Sequence, residues 1–244
     1  MFAADPSVGH FVSGGIVGGT APLALGPALA FKLSGSNGVT AAFFGDGAAQ
    51  QGTVLESMNL AIVWQLPLVF VCDNNGFGQA TPISYAAGSP LVERAAGFGM
   101  ESQSVDGQDV EAVVEASKRA VERARSGGGP SFLDIQTASY RGSWEGEPKV
   151  AYRSEHQREY RARDPLVILS RRIKSQDPDW EAKAKAIHDT IRTEMDAAFD
   201  AARAAAPPLA EEVFANVYAG TSPNVDRNGL VLGCPSELTL EGVQ

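Results

Sequence analysis

Cysteine is nearly absent from this 244-residue chain: Cys72 and Cys234 are the only two, far apart and in no CxxC arrangement. That excludes a disulfide-stapled framework and a thiolate metal site, suits a reducing cytoplasm, and reads both as free thiols. Basic residues are also short, with 20 Lys and Arg against 29 Asp and Glu, a net charge of -9. So acidic a chain is a poor match for phosphate backbones or anionic lipid, and neither nucleic acid nor a membrane is an expected partner. No basic stretch opens the sequence, and Asp5 and Pro6 interrupt what a secretory signal would keep apolar. The mature protein is therefore expected to start here and to be cytoplasmic. Residues 12–31 carry no charge and approach the ~20 apolar residues of a membrane span. Their Gly14, Gly15, Gly18, Gly19, Pro22, Gly26 and Pro27 instead point to a buried loop and helix of a soluble domain. No P-loop and no internal repeat occur.

What is present is ordinary globular material, 44% hydrophobic and 20% charged, which excludes disorder. Short β-branched or aromatic runs alternate with longer helical ones, so the expected class is α/β, a mostly parallel sheet with helices on both faces. Residues 39–44 (VTAAFF) read as a buried strand, 52–65 as a helix with Leu55, Met58 and Ile62 on its inner face, and 67–72 (PLVFVC) as a second strand. A weaker strand is expected over 102–105, a helix over 110–125 closed by SGGGP, and a strand over 132–137 (FLDIQT). Residues 138–156 are polar, turn-rich and too long for a routine connection, which marks a functional or disordered loop. Two helices follow, the second over about 180–206 with Ile187, Ile191, Met195 and Phe199 down one side, until Pro207 and Pro208 end it. The expected organisation is an α/β domain over 1–165, a helical extension over 166–206 and a tail over 207–244 ordered by contact with another chain.

Gly45-Asp46-Gly47 sits at the carboxyl end of the first strand, and Asn74-Asn75 at the carboxyl end of the next. Ligands of open parallel sheets lie outside those strand ends, so Asp46 and Asn75 should face one site. A carboxylate, an amide oxygen and a backbone carbonyl are hard donors that suit Mg²⁺ when water and phosphate oxygens complete the octahedron. Gly47 and Ala48 are expected to open the following helix, whose amides suit an anion. Together these describe a metal-bridged diphosphate. A dinucleotide site, with Asp73 on a ribose, fits less well, because GDGAAQQG is spaced G-x-G-x-x-x-x-G and would set Asp46 against a bare pyrophosphate.

At this point the residues carry a resemblance. GDGAAQQGTVLESMNLAIVWQLPLVFVCDNNGFG is similar to the thiamine-diphosphate motif of the alpha subunit of 2-oxoacid dehydrogenase decarboxylating components, the pyruvate, branched-chain and acetoin group. ADPSV with GGIVGGTAP resembles the segment around the aminopyrimidine, and SVDGQD, GPSFLDIQT and VAYRS with RDPL resemble later blocks, so the match runs from residue 1 to about 218. The resemblance implies a thiamine-diphosphate-binding fold, the diphosphate-binding domain of a heterotetramer. It implies Mg²⁺ ligation by the Asp46 carboxylate, the Asn75 side chain and the Phe77 carbonyl. Gly45, Gly47 and Ala48 would serve the diphosphate, and the backbone of Gly15 and Val17 the aminopyrimidine. A beta-like partner would contribute the pyrimidine domain and its activating glutamate, and a lipoyl or acyl-carrier domain would take the product.

Three departures bear on the reaction. Family members have a substantial region before the Met-His that matches Met1-Phe2, the histidine of that pair is Phe2 here, and the family's Tyr-His-Gly-His loop reads Tyr140-Arg141-Gly142-Ser143. Arg141, Ser143 and His10 are the candidates for what the lost histidines did, with His156 a further one; His188 is expected to be a solvated helix residue. Arg141 and Arg153 would either clamp an anionic substrate or pair with Glu145, Glu147 and Glu155. The leading expectation is cleavage of a 2-oxoacid with transfer of the acyl unit to a lipoyl group or carrier. The alternatives are a transketolase-like transfer of a C2 unit from a ketose phosphate, and a non-catalytic scaffold subunit.

Overall fold

Four short strands build the sheet: β1 (Thr40–Gly45), β2 (Leu68–Asn74), β5 (Glu101–Asp106) and β6 (Ser131–Gln136), all parallel and in the spatial order β1-β2-β6-β5. The computed structural model describes residues 3–140, 160–207, 209, 224–225 and 231–232. The chain divides into two compact units, Met1–Trp180 and Glu181–Gln244.

Side-chain alternation on the strands sends successive residues to opposite faces. Phe70, Cys72, Phe44 and Phe132 meet one core with helices α1 (Thr20–Ser34), α2 (Gly52–Val63) and α4 (Leu91–Gly97). Val69, Val71, Leu133 and Val105 meet a second core with α5 (Val110–Arg125). Helices thus cover both faces, as expected. The Phe44 ring stands edge-on to Phe70 with centroids 6.3 Å apart and tilts against Phe132 at the same distance. Phe70 is fully buried.

The expected strands and the α5 helix appear with ends within about two residues of those read from sequence, the usual latitude of such boundaries. The weak signal for β5 has a reason: it is an edge strand, and Val105 is its only fully buried residue. The opposite edge is β1, where Phe43 is 67% exposed. Two corrections concern packing. The buried stripe of α2 is Val54, Ser57, Met58 and Ala61: Met58 faces the core as expected and half-buried Ile62 packs against it, but Val54 takes the place expected of Leu55, which is only half-buried. The loop before α1 is not buried, since Val12, Ile16 and Val17 are exposed; the helix itself buries Ala21, Ala24 and Ala28 and ends at Gly35 in the left-handed conformation that favours glycine.

Between β2 and β5 lie elements too short for periodicity to reveal: a hairpin of β3 (Phe77–Gly78) and β4 (Thr81–Pro82), then α3 (Ile83–Ala86) before α4. After β6, helix α6 (Pro165–Lys174) is tied to the start of α5 by Arg172, which donates to both carboxylate oxygens of Asp109 at 2.9 Å. Asp109 also caps α5, accepting from the Glu111 and Ala112 amides. Helix α7 (Trp180–Ala204) leaves Ile187, Ile191, Met195 and Phe199 exposed. A short antiparallel pair, β7 (Asn224–Val225) with β8 (Val231–Leu232), lies in the second unit. No helix of the described residues is long and apolar enough to cross a membrane.

Candidate functional site

Strand parity gathers polar groups where the first core reaches the carboxyl rim of the sheet. Cys72 and Phe132 face that core, so Asn74 and Asp134, each two residues further along, lie on the same side. Asp46 follows the end of β1 and is 1% exposed. The three come from three adjacent strands.

A cavity of about 600 Å³ opens at this rim, a size suited to a cofactor-scale molecule. The eight residues singled out from sequence for the cofactor, Gly15, Val17, Gly45, Asp46, Gly47, Ala48, Asn75 and Phe77, all line it. Gly15 and Val17 arrive on the loop before α1, Gly45 to Ala48 on the turn after β1, and Asn75 and Phe77 on the turn into the β3–β4 hairpin. That second turn is fixed locally. Gly76 takes the left-handed backbone (φ 80°), its amide donates to Asn74 Oδ1 at 3.1 Å, and the Phe77 amide donates to Asn75 Oδ1 at 3.1 Å. The two turns touch glycine to glycine: a Cβ on Gly47 would sit 2.9 Å from Gly78 Cα.

One expectation is corrected here. Gly47 and Ala48 do not open α2; residues Ala48–Gln50 form a separate 3-10 turn, and extended Gln51 intervenes before α2 begins at Gly52. Side chains hold this turn. Arg94 of α4 donates to Ala49 O and to Gln50 Oε1, and Gln50 Nε2 donates to the Asp46 carbonyl at 3.2 Å.

The electrostatics favour a cation. Burial raises the pKa of Asp46 above the usual carboxylate range, and the nearby negative charges of Asp73 and Asp134 add to this, while the amides of Asp46 and Gly47 oppose it. Asp134 is raised by burial as well, opposed by the hydrogen bond from Asn74. Asp46 Oδ2 is buried with no hydrogen-bond partner. An orphaned, acidic, buried oxygen beside an amide and backbone carbonyls is a set that Mg²⁺ would complete. Among the described residues no group of three or more His, Cys, Asp or Glu could hold a metal by itself. A cation at Asp46 would therefore draw its remaining donors from a ligand and water. Burial also pushes the Cys72 thiol up, so that cysteine stays protonated and inert.

Of the proposed reaction groups Arg141, Ser143 and His10, only His10 is among the described residues. His10 is exposed, pairs through its backbone with Asp5, and lines a neighbouring groove with Phe11, Leu23 and Phe43 rather than the Asp46 cavity. His188 lies on α7, exposed, 3.7 Å from Asp189. Arg141, Ser143, Arg153 and His156 lie outside the described residues, as does Cys234. Sequence reasoning missed Asp134, Gln50 and Arg94. The signal for Asp134 was available: a lone carboxylate inside the apolar run FLDI, at an inward position near a strand's carboxyl end.

Comparison with known proteins accords with this geometry. The family model described as "Dehydrogenase E1 component" matches residues 4–211. The alpha subunit of acetoin:2,6-dichlorophenolindophenol oxidoreductase of Bacillus subtilis is 45% identical over 159 residues, 65% of this chain and 47% of that one. The protein of the same description from Cupriavidus necator is 39% identical over 220 residues, 89% of this chain and 66% of that one. The mitochondrial pyruvate dehydrogenase E1 component subunit alpha of Dictyostelium discoideum is 39% identical over 212 residues, 84% of this chain and 54% of its own. The chain spans between about half and two thirds of these relatives, and it belongs to the dehydrogenase E1 component family.

Proposed function

We propose that this chain is the alpha-type subunit of a thiamine-diphosphate-dependent enzyme that cleaves a 2-oxoacid and passes the acyl unit to a lipoyl group or carrier. The observation that carries the reading is the partnerless buried Asp46 Oδ2 at the head of a cavity that also holds Asn75 and Phe77. Asp46, the Asn75 amide oxygen and the Phe77 carbonyl would hold Mg²⁺, and Gly47 and Ala48 would approach the diphosphate closely because neither carries a bulky side chain. Gly15 and Val17 would border the aminopyrimidine. Thiamine diphosphate, when bound, supplies a nucleophilic thiazolium carbon and an electron sink for cleaving the bond beside a carbonyl.

The chain's own contribution is position and charge. The buried carboxylate of Asp46 would place negative charge at the rim, where a cation held with Asn75 and Phe77 would offset the charge of a diphosphate. The proton relay to the aminopyrimidine, and the second wall of the site, belong in this reading to a beta-like partner in a heterotetramer, so the chain alone would not turn over. With the family's loop histidines replaced, Arg141 and Ser143 would bind the substrate carboxylate.

The test is calorimetric titration of thiamine diphosphate, with and without Mg²⁺, into the assembled protein and into its Asp46→Ala and Asn75→Ala variants. Each variant removes an oxygen donor, and Mg²⁺-dependent binding should disappear in both. Unchanged affinity in both would end the assignment.

A further inference from the structure

We infer that Asp134 is a positioning residue for the turn that carries Asn75 and Phe77, acting through Asn74. As a statement about the cation site, the inference rests on the function proposed above. Asp134 is 4% exposed on β6, and its Oδ1 accepts a hydrogen bond from Asn74 Nδ2 at 2.8 Å. A carboxylate has only acceptors to offer, so it sets which way the Asn74 amide lies. The NH₂ turns to Asp134 and the oxygen is thereby aimed at the Gly76 amide, which donates to it at 3.1 Å. Gly76 lies between Asn75 and Phe77. Reversing the amide would set an oxygen against a carboxylate and an NH₂ against an N–H, losing both bonds.

The backbone and the opposite face of the sheet brace the same strand end. The Thr137 amide donates to Asn74 O at 2.9 Å, and the Thr137 hydroxyl donates to Asp73 Oδ1. By parity Asp73 lies on the α5 side and Asn74 on the α1 side, so β2 is tied to β6 on both faces just before the turn. Of these ties between β2 and β6, the one from Asp134 continues into the turn, because Asn74 passes a bond on to the Gly76 amide, while the Gly76 carbonyl accepts from the Ile83 amide at 2.8 Å. A buried carboxylate is costly, and an apolar residue at this strand position would pack at no such cost. Its placement is accounted for by the orientation it imposes.

The experiment compares Asp134→Ala, Asn74→Ala and Asp134→Asn in the full chain with the partner it assembles with. Hydrogen exchange at the Gly76 and Phe77 amides, measured without cofactor, reads the turn; titration with Mg²⁺ and thiamine diphosphate reads the site. The Asn variant still presents an oxygen to Asn74 and should stay within about threefold of wild type in both readouts. Each Ala variant should lose about tenfold or more in protection at Gly76 and in Mg²⁺ affinity, the size of effect typical of groups that orient a metal's ligands. The double Ala variant should lose no more than either single one. Unchanged Gly76 protection in Asp134→Ala overturns the inference whatever the cofactor does, as does a loosened turn with wild-type Mg²⁺ affinity. If Asp134→Ala does not fold, Asn74→Ala with normal protection and affinity overturns it equally. Absence of any Mg²⁺-dependent binding by the wild type would instead refute the proposed function, leaving the exchange data to decide the role of Asp134 in the turn.

Discussion

Asp46→Asn should separate the cost of the site from its use. Asparagine keeps the volume and the polar shape but removes the charge from a side chain that is 1% exposed and whose Oδ2 has no partner. An unsatisfied buried polar atom costs about 1–3 kcal/mol, and a charged one more, so the variant retains the first penalty and sheds the second. Without ligands at neutral pH, Asp46→Asn should be at least as stable as wild type. A gain of 1 kcal/mol would appear as roughly 2–4 °C in Tm for a chain of this size. Mg²⁺ and thiamine diphosphate at about a hundred times Kd should add about 2.7 kcal/mol to the wild type and nothing to the variant. The order of stabilities should therefore invert when the ligands are added. The pH dependence carries the same sign. The folded pKa of Asp46 is raised above 3.8, so the stability linked to this group is present below that pH and is lost as pH rises through the folded value. Wild type and variant should thus converge toward acid and part toward neutrality. Differential scanning fluorimetry across pH with and without ligands is sufficient. A ligand-free variant several kcal/mol less stable than wild type, or one that the ligands stabilise fully, would refute the reasoning.

Gly47→Ala is expected to be damaging for a purely steric reason: φ is −62° there, a conformation any residue adopts, but the new methyl would lie 2.9 Å from Gly78 Cα. Overpacking of this kind costs about 1–3 kcal/mol, and parting the two turns should weaken cofactor binding in titration; full affinity would show that the contact gives way freely. At Asp109, the fork from Arg172 lowers the folded pKa to about 2, so its contribution is present above 3.8 and is lost as pH falls toward 2. Hydrogen exchange of α6 should accelerate over that interval in wild type, while Arg172→Ala should exchange fast at pH 7 already; identical profiles would remove the tie as the cause.

The sheet was legible because its strands state their burial in composition. PLVFVC and FLDIQT are apolar on both faces, as central parallel strands must be, and they occupy the two central positions. The rim was legible because Gly45-Asp46-Gly47 and Asn74-Asn75 end neighbouring strands. What escaped depends on contacts distant in sequence. Asn74 meets Asp134, and Gln50 meets Arg94, across separations that no period encodes. The rotation of the α2 stripe from Leu55 to Val54 escaped for a different reason: an apolar residue at either position satisfies helical spacing, and only packing against Phe70 and Phe44 chooses between them. The loop at residues 12–19 was misread because glycine and apolar side chains look alike whether a core or open solvent lies beside them.

The free margin of β1 governs how the protein must be handled. Its sequence, TAAFFG, contains neither lysine nor proline, the usual deterrents on a terminal strand, and no other strand of the described residues pairs along its outer side. Thr20 donates to the Phe43 carbonyl at 3.1 Å, occupying one acceptor, and Phe43 itself stands in water. An unpaired strand edge of this kind can template further strands, so the protein should associate increasingly as its concentration rises, which light scattering over a dilution series would read.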